Sequence, residues 1–94
     1  MKFYLITYDI AEDRAREQVA RRLLRDGRRV QESVFEIAVR SDAAFSRLEQ
    51  DLHALCRSPF SGQIRWYGLN CDAFAVAGAI GAPAPCPPAA VVVA

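Results

Sequence analysis

Lysine is nearly missing from this 94-residue chain, which carries it once, at Lys2, while arginine supplies the rest of its basic residues. Histidine also occurs once, at His53, and the three cysteines, Cys56, Cys71 and Cys86, form no C-x-x-C pair. These shortages exclude whole classes. A zinc site needs several Cys or His ligands at close spacing. An odd number of cysteines without framework spacing argues against a disulfide-stapled secreted domain. No apolar run spans a bilayer, and Asp9 cuts the first apolar run before it resembles a signal peptide. The expectation is one small cytoplasmic domain with no membrane segment. Proline is scarce up to Gly78, where Pro59 stands alone, and then abundant in GAIGAPAPCPPAAVVVA, which has no charge. That shift predicts a compact domain over 1–78 and an extended arm over 79–94. Val91, Val92 and Val93 are strong β-formers, suited to pairing with the sheet edge of a partner.

What is present is positive charge in one place. The formal net charge is only +1, yet seven arginines and two acids fall between Arg14 and Arg29. Just before them, residues 2 to 9 form a near-continuous apolar strand that ends on the carboxylate of Asp9. Glu12 and Asp13 mark a helix start, and the helix is expected to run to about Asp26 and stop at Gly27. Ala15, Val19 and Leu23 give it a buried stripe flanked by Ala20 and Leu24. Arg14, Gln18, Arg21 and Arg25 face the other way. Arg16 falls on the buried side of the first turn, where a charge needs a partner. An Asp9–Arg16 contact, or Arg16 reaching a ligand beside Asp9, would supply one; the alternative is that its stem packs while its head reaches water.

Residues 28–40 alternate, with an apolar face that changes near Ser33, as one kinked strand or two short ones would show. Ser41 and Asp42 offer a cap to a second helix built on Ala44, Phe45, Leu48, Leu52 and Leu55. QIRWYGL is a strand, and AFAVAG is expected to be another. The order of elements predicts a ferredoxin-like α+β domain, with two helices on one face of an antiparallel sheet.

Two chemistries suit these residues. Asp9 is either a structural residue, capping the first helix or pairing with an arginine, or a hard oxygen ligand of the kind Mg²⁺ takes with one or two carboxylates and several waters. A second copy would supply a second Asp9 across a two-fold axis. Arg14, Arg21, Arg22 and Arg25 on an exposed helix face, followed by Arg28 and Arg29, would track a phosphate backbone. Tyr8, Trp66 and Tyr67 are either core aromatics or stacking platforms for unpaired bases.

The stretch YDIAEDRAREQVARRLLRDGRRVQESVFEI resembles the signature of the small CRISPR-associated endonuclease of spacer acquisition, the second of the two core adaptation proteins. The residues that carry the likeness are Tyr8, Asp9, Ile10, Glu12, Asp13, Gly27, Arg29, Gln31, Ser33, Val34 and Phe35. The resemblance implies a ferredoxin-like homodimer whose Asp9 binds Mg²⁺ between the subunits, with Tyr8, Asp9, Arg16, Arg29 and Phe35 as the cleavage residues. It implies the adaptation integrase as a partner, and double-stranded DNA or single-stranded RNA as the nucleic acid. It also implies an alternative, a non-catalytic scaffold that holds duplex DNA and bridges integrase dimers. The chain departs from the family pattern at Gln18, where an arginine is expected, and after the IRWY strand, where only Cys71 remains of a cysteine pair.

Overall fold

The computed structural model describes residues 1–57 and 60–87. Four strands and two long helices follow the expected order: β1 Lys2–Ile10, α1 Asp13–Leu23, β2 Gly27–Gln31, β3 Val34–Val39, α2 Asp42–Leu55 and β4 Gly62–Leu69, then a short α3, Cys71–Ala75. The sheet runs β2-β3-β1-β4 with every neighbouring pair antiparallel. This is the ferredoxin-like α+β fold.

Pleating sorts β1 into two sets. Ile6, Tyr8 and Ile10 join Val19, Leu23, Phe35, Ile37, Leu48 and Leu52 in the core under the helices. Phe3, Leu5, Thr7 and Asp9 therefore point to the opposite, open face. Cross-strand register adds Gln63, Arg65 and Tyr67 from β4 to that face, and Val34 and Glu36 from β3.

Helix α1 is capped by Glu12, whose carboxylate accepts from the backbone N–H of Arg14 and Ala15. It ends at Leu23, earlier than expected, and Leu24 is left exposed rather than flanking the buried stripe. Gly27 is not the helix stop. It opens β2, where a Cβ would drive into the Glu36 carbonyl oxygen of β3. The 28–40 stretch is two strands, with a register irregularity between Arg29 and Gln31. Ser41 caps α2 by accepting from the Ala44 N–H at 3.1 Å.

AFAVAG is not a strand. Asn70 accepts from the Ala73 N–H at 3.0 Å and starts α3, and Phe74 packs edge-on against Phe3. The β4 ladder has by then reached Phe3, so almost no β1 edge remains to pair with. Of the expected arm, residues 79–87 lie beside this chain's own β2, where Arg28 donates to the Cys86 carbonyl. Val91, Val92 and Val93 fall outside the described residues. Among the described residues, no helix is long and apolar enough to cross a membrane.

Candidate metal and nucleic-acid site

Asp9 sits at the end of the central strand, exposed, on the open face. Its carboxylate makes no hydrogen bond or ion pair among the described residues. The backbone beneath it is tightly held: Gly62 pairs with Ile10 at φ 146°, in a region that disfavours any side chain. A Cβ there would strike the Asp9 carbonyl oxygen.

Tyr8, Arg29 and Phe35 come together, but on the other side of the sheet. Tyr8 is buried, stacked on Phe35 with ring centroids 6.0 Å apart. Its hydroxyl accepts from Arg29 Nη2 at 3.1 Å and faces the Glu32 carbonyl at 3.4 Å. Arg29 lies over the Phe35 ring at 5.2 Å and donates Nε to the Glu32 carbonyl at 2.9 Å. These three side chains bind the β2–β3 turn to the end of β1. Their polar contacts are with one another and with the Glu32 carbonyl, and they steady the strand end that presents Asp9.

Arg16 does not reach Asp9. Its Nη1 donates to the carbonyls of Ile10 and Ala11 at 3.1 and 3.2 Å, and its Nη2 to Asp13 at 2.5 Å. The Arg16 side chain is partly exposed rather than buried, and its charge is neutralised within the β1–α1 loop, which it closes.

The arginines divide by what they touch. Arg14 and Arg25 are exposed and hold no acid among the described residues. Arg21 pairs with Glu17 at 2.8 Å, with both side chains in solvent. Arg22 is not on the exposed face: its side chain is 11% exposed, bound to Asp26 at 2.7 Å and Asp51 at 2.8 Å. Burial alone would lower its pKa, but the two carboxylates together outweigh that and hold it above its ordinary value. Arg28 is also committed, through the tail carbonyl of Cys86 and through Glu36, which accepts from Nε at 3.0 Å and Nη2 at 2.9 Å. Its pKa is raised, first by the Cys86 side chain, whose Sγ lies 3.7 Å from Nη2, and then by Glu36. Trp66 packs edge-on against Phe45, while Tyr67 is half exposed on the open face.

Glu36 was not singled out by sequence pattern. It is the one buried acid among the described residues, and the signal was present: a carboxylate inside VFEIAV, directly across the hairpin from Arg28. Burial pushes the Cys56 thiol up, which keeps it protonated.

Among the described residues, no group of three or more His, Cys, Asp or Glu side chains could hold an ion. Asp9 fits Mg²⁺ as an unpaired hard-oxygen donor in solvent, with other ligands from water or a second copy.

Fold and site together define a small ferredoxin-like domain with a lone carboxylate at a strand end and an arginine-rich helical layer. The model of the CRISPR-associated protein Cas2 family matches residues 1–75. The chain belongs to that family. It is 40% identical over 67 residues, 71% of each chain, to the CRISPR-associated endoribonuclease Cas2 1 of Chloroflexus aurantiacus. It is 39% identical over 70 residues, 74% of each chain, to the CRISPR-associated endoribonuclease Cas2 3 of Synechocystis sp.. Among solved structures, it is similar to a chain of a partial Cas6-RT-Cas1–Cas2 complex, with 32% identity, a TM-score of 0.79, and 89% of this chain and 96% of that one covered. Streptococcus pyogenes Cas2 superposes with a TM-score of 0.64 at 30% identity, covering 72% of this chain and 86% of that one.

Proposed function

We propose that this chain serves CRISPR adaptation as a homodimer that cleaves phosphodiesters, with Asp9 of each copy holding Mg²⁺ at the seam. The observation that carries this reading is the carboxylate of Asp9, exposed and unpaired at the end of a rigid central strand, in a chain where most acids near arginines are already bound. The Asp9 face also carries the half-exposed Tyr67 and the partly buried Leu5, apolar surface that a second sheet would cover. Mg²⁺, when bound, supplies polarisation of a phosphoryl oxygen and activation of water. Asp9 supplies the anchoring oxygen. Gly62 and the Tyr8–Arg29–Phe35 cluster fix the backbone that aims it. Because the similar relatives are named endoribonucleases, single-stranded RNA is the first substrate to offer, and duplex DNA the second.

A scaffold role is favoured by a separate observation. Tyr8, Arg29 and Phe35 are engaged with one another and do not share a face with Asp9, so the carboxylate stands alone chemically. In this role the dimer holds duplex DNA and bridges dimers of the integrase, and a chain of similar fold does occur in an assembly whose name includes Cas1.

One paired assay separates the two. Wild type and Asp9→Asn are incubated with single-stranded RNA and duplex DNA, with Mg²⁺ or a chelator, and both cleavage and binding are read. Cleavage that needs Mg²⁺ and is lost in Asp9→Asn is the expected result. Duplex binding without cleavage in either protein would leave the scaffold role alone.

A further inference from the structure

We propose that Arg65, on β4, is the residue that holds the scissile phosphate beside Asp9. The proposal rests on the cleavage reading above and adds the cation which that reading lacks.

The two arginines expected among the cleavage residues are committed elsewhere. Arg16 closes the β1–α1 loop through the carbonyls of Ile10 and Ala11 and through Asp13. Arg29 is bound to the Tyr8 hydroxyl and the Glu32 carbonyl, on the core side of the sheet. Phosphoryl transfer depends on positioning and on cations that meet the charge of the phosphoryl oxygens. Neither of these side chains is free to provide that at Asp9.

Register supplies a different arginine. Along β4, Gln63 stands opposite Asp9, Arg65 opposite Thr7 and Tyr67 opposite Leu5. Directly opposed residues share a face, so Arg65 lies on the open face with Asp9. The two are diagonal neighbours, about 7–8 Å apart at the backbone, and the long stem of an arginine can close such a gap. Among the described residues, the strands place one other arginine on this face. It is Arg28, opposite Glu36, and it is held by Glu36 and by the tail carbonyl of Cys86. Arg65 is exposed and makes no ion pair or hydrogen bond among the described residues. Asp9 is unpaired in the same sense. An acid and a guanidinium thus stand side by side on paired strands, and neither is spent on the other.

A second sheet laid over this face sharpens the requirement. It would draw Arg65 out of water, and a buried charge needs a partner. The acids that the strands place here are Glu36, which is on Arg28, and Asp9, which the cleavage reading gives to the ion. A phosphodiester is the anion that the reaction brings. The planar fork of Arg65 can donate two parallel hydrogen bonds to its non-bridging oxygens. In hydrolysis a water oxygen bonds to phosphorus and the bond to the leaving ester oxygen breaks. The proton that the water loses is balanced by one that the leaving oxygen gains. Arg65 stays protonated throughout and acts by holding the phosphoryl oxygens while their charge is redistributed.

The test uses the full chain with Arg65→Gln, Arg65→Lys, and Asp9→Asn with and without Arg65→Gln. Arg40→Gln is the charge-loss control, at the end of the sheet remote from Asp9, where Val39 pairs with Lys2. Arg40 and Arg65 are both exposed, and thermal melts check that each variant folds. For single-stranded RNA in Mg²⁺, Arg65→Gln is expected to lower kcat/KM about a hundredfold, mostly through kcat. Arg65→Lys should recover part of this, as a charge without the fork, and Arg40→Gln should match wild type. In the Asp9→Asn background the strand stays whole and its binding is read by fluorescence anisotropy. Adding Arg65→Gln there should make the slope of log K against log salt shallower by about 0.7, one phosphate contact on a single strand. The Mg²⁺ concentration that raises Tm should fall in Arg65→Gln, because a cation beside the ion has gone. Wild type that cleaves, with Arg65→Gln equal to it in rate and in Mg²⁺ response, overturns the role of Arg65 and leaves the nuclease function standing. Lost cleavage together with a fall from dimer to monomer in sedimentation makes Arg65 a seam residue and refutes the proposal. Wild type that cleaves nothing removes the nuclease function and the proposal with it.

Discussion

Arg22 shows what a single arginine does once its neighbours are known. By helical azimuth it borders the exposed row of Arg14, Arg21 and Arg25, and a phosphate contact is the natural expectation. Its side chain instead bonds Asp26 at the end of α1 and Asp51 in the middle of α2, tying the two helices together. Replacing it with glutamine removes the charge both acids face. Because Asp26 and Asp51 remain one-third and one-half exposed, water recovers part of the loss. Arg22→Gln is therefore expected to cost about 1–2 kcal/mol, less than the cost of breaking a fully buried pair, and to lower Tm by roughly 5–15 °C in a domain of this size. A thermal melt checks it; an unchanged Tm would return Arg22 to the pool of ligand-binding arginines. The same limit applies to Arg16 and Arg28. Helical position and sequence distance revealed that Arg16 needed a partner, and left Arg22 and Arg28 among the phosphate-binding arginines. They did not reveal that Asp13, Asp51 and Glu36 would be the partners, because two of those partners are set by tertiary packing or hairpin register.

At the scale of elements, pattern was informative where the period was long. β1, α1, α2 and β4 were legible because each sustains its alternation or its helical stripe over eight residues or more. AFAVAG misled because six residues of small and apolar type are too few to fix a period, and the deciding facts were a cap at Asn70 and the exhausted edge of β1. Gly27 misled for a related reason: glycine after a helix suggests a left-handed stop, yet this glycine is needed for the close approach of β2 to β3. That difference is measurable. Gly27→Ala is expected to destabilise the fold by about 1–3 kcal/mol, as overpacking does. Gly68→Ala serves as its pair, since a Cβ at Gly68 meets only Tyr4 Cε2, at 4.0 Å. It is expected to stay within about 0.5 kcal/mol. Equal denaturation midpoints for the two variants would show that the β2–β3 approach can relax.

At the scale of the whole molecule, the two faces of the sheet differ in charge and cover. The helical face gathers arginines whose acids are spent, and the open face carries Asp9 among half-covered apolar side chains. In the proposed reading the chemistry of the second face is incomplete in one copy, since a single carboxylate is a thin site for a divalent ion. If two Asp9 side chains share the ion, binding is linked to assembly, and Mg²⁺ must stabilise the folded dimer by mass action, by ~2.7 kcal/mol at a hundredfold excess over Kd. Wild type should then show a Tm that rises with Mg²⁺ and with protein concentration. Asp9→Asn should keep the concentration dependence, because the apolar face is intact, and lose the response to Mg²⁺. An equal Mg²⁺ response in both proteins would place the ion away from Asp9. A Mg²⁺ response in wild type that persists while Tm is independent of protein concentration would mean that Asp9 holds the ion within one copy, with water completing its shell.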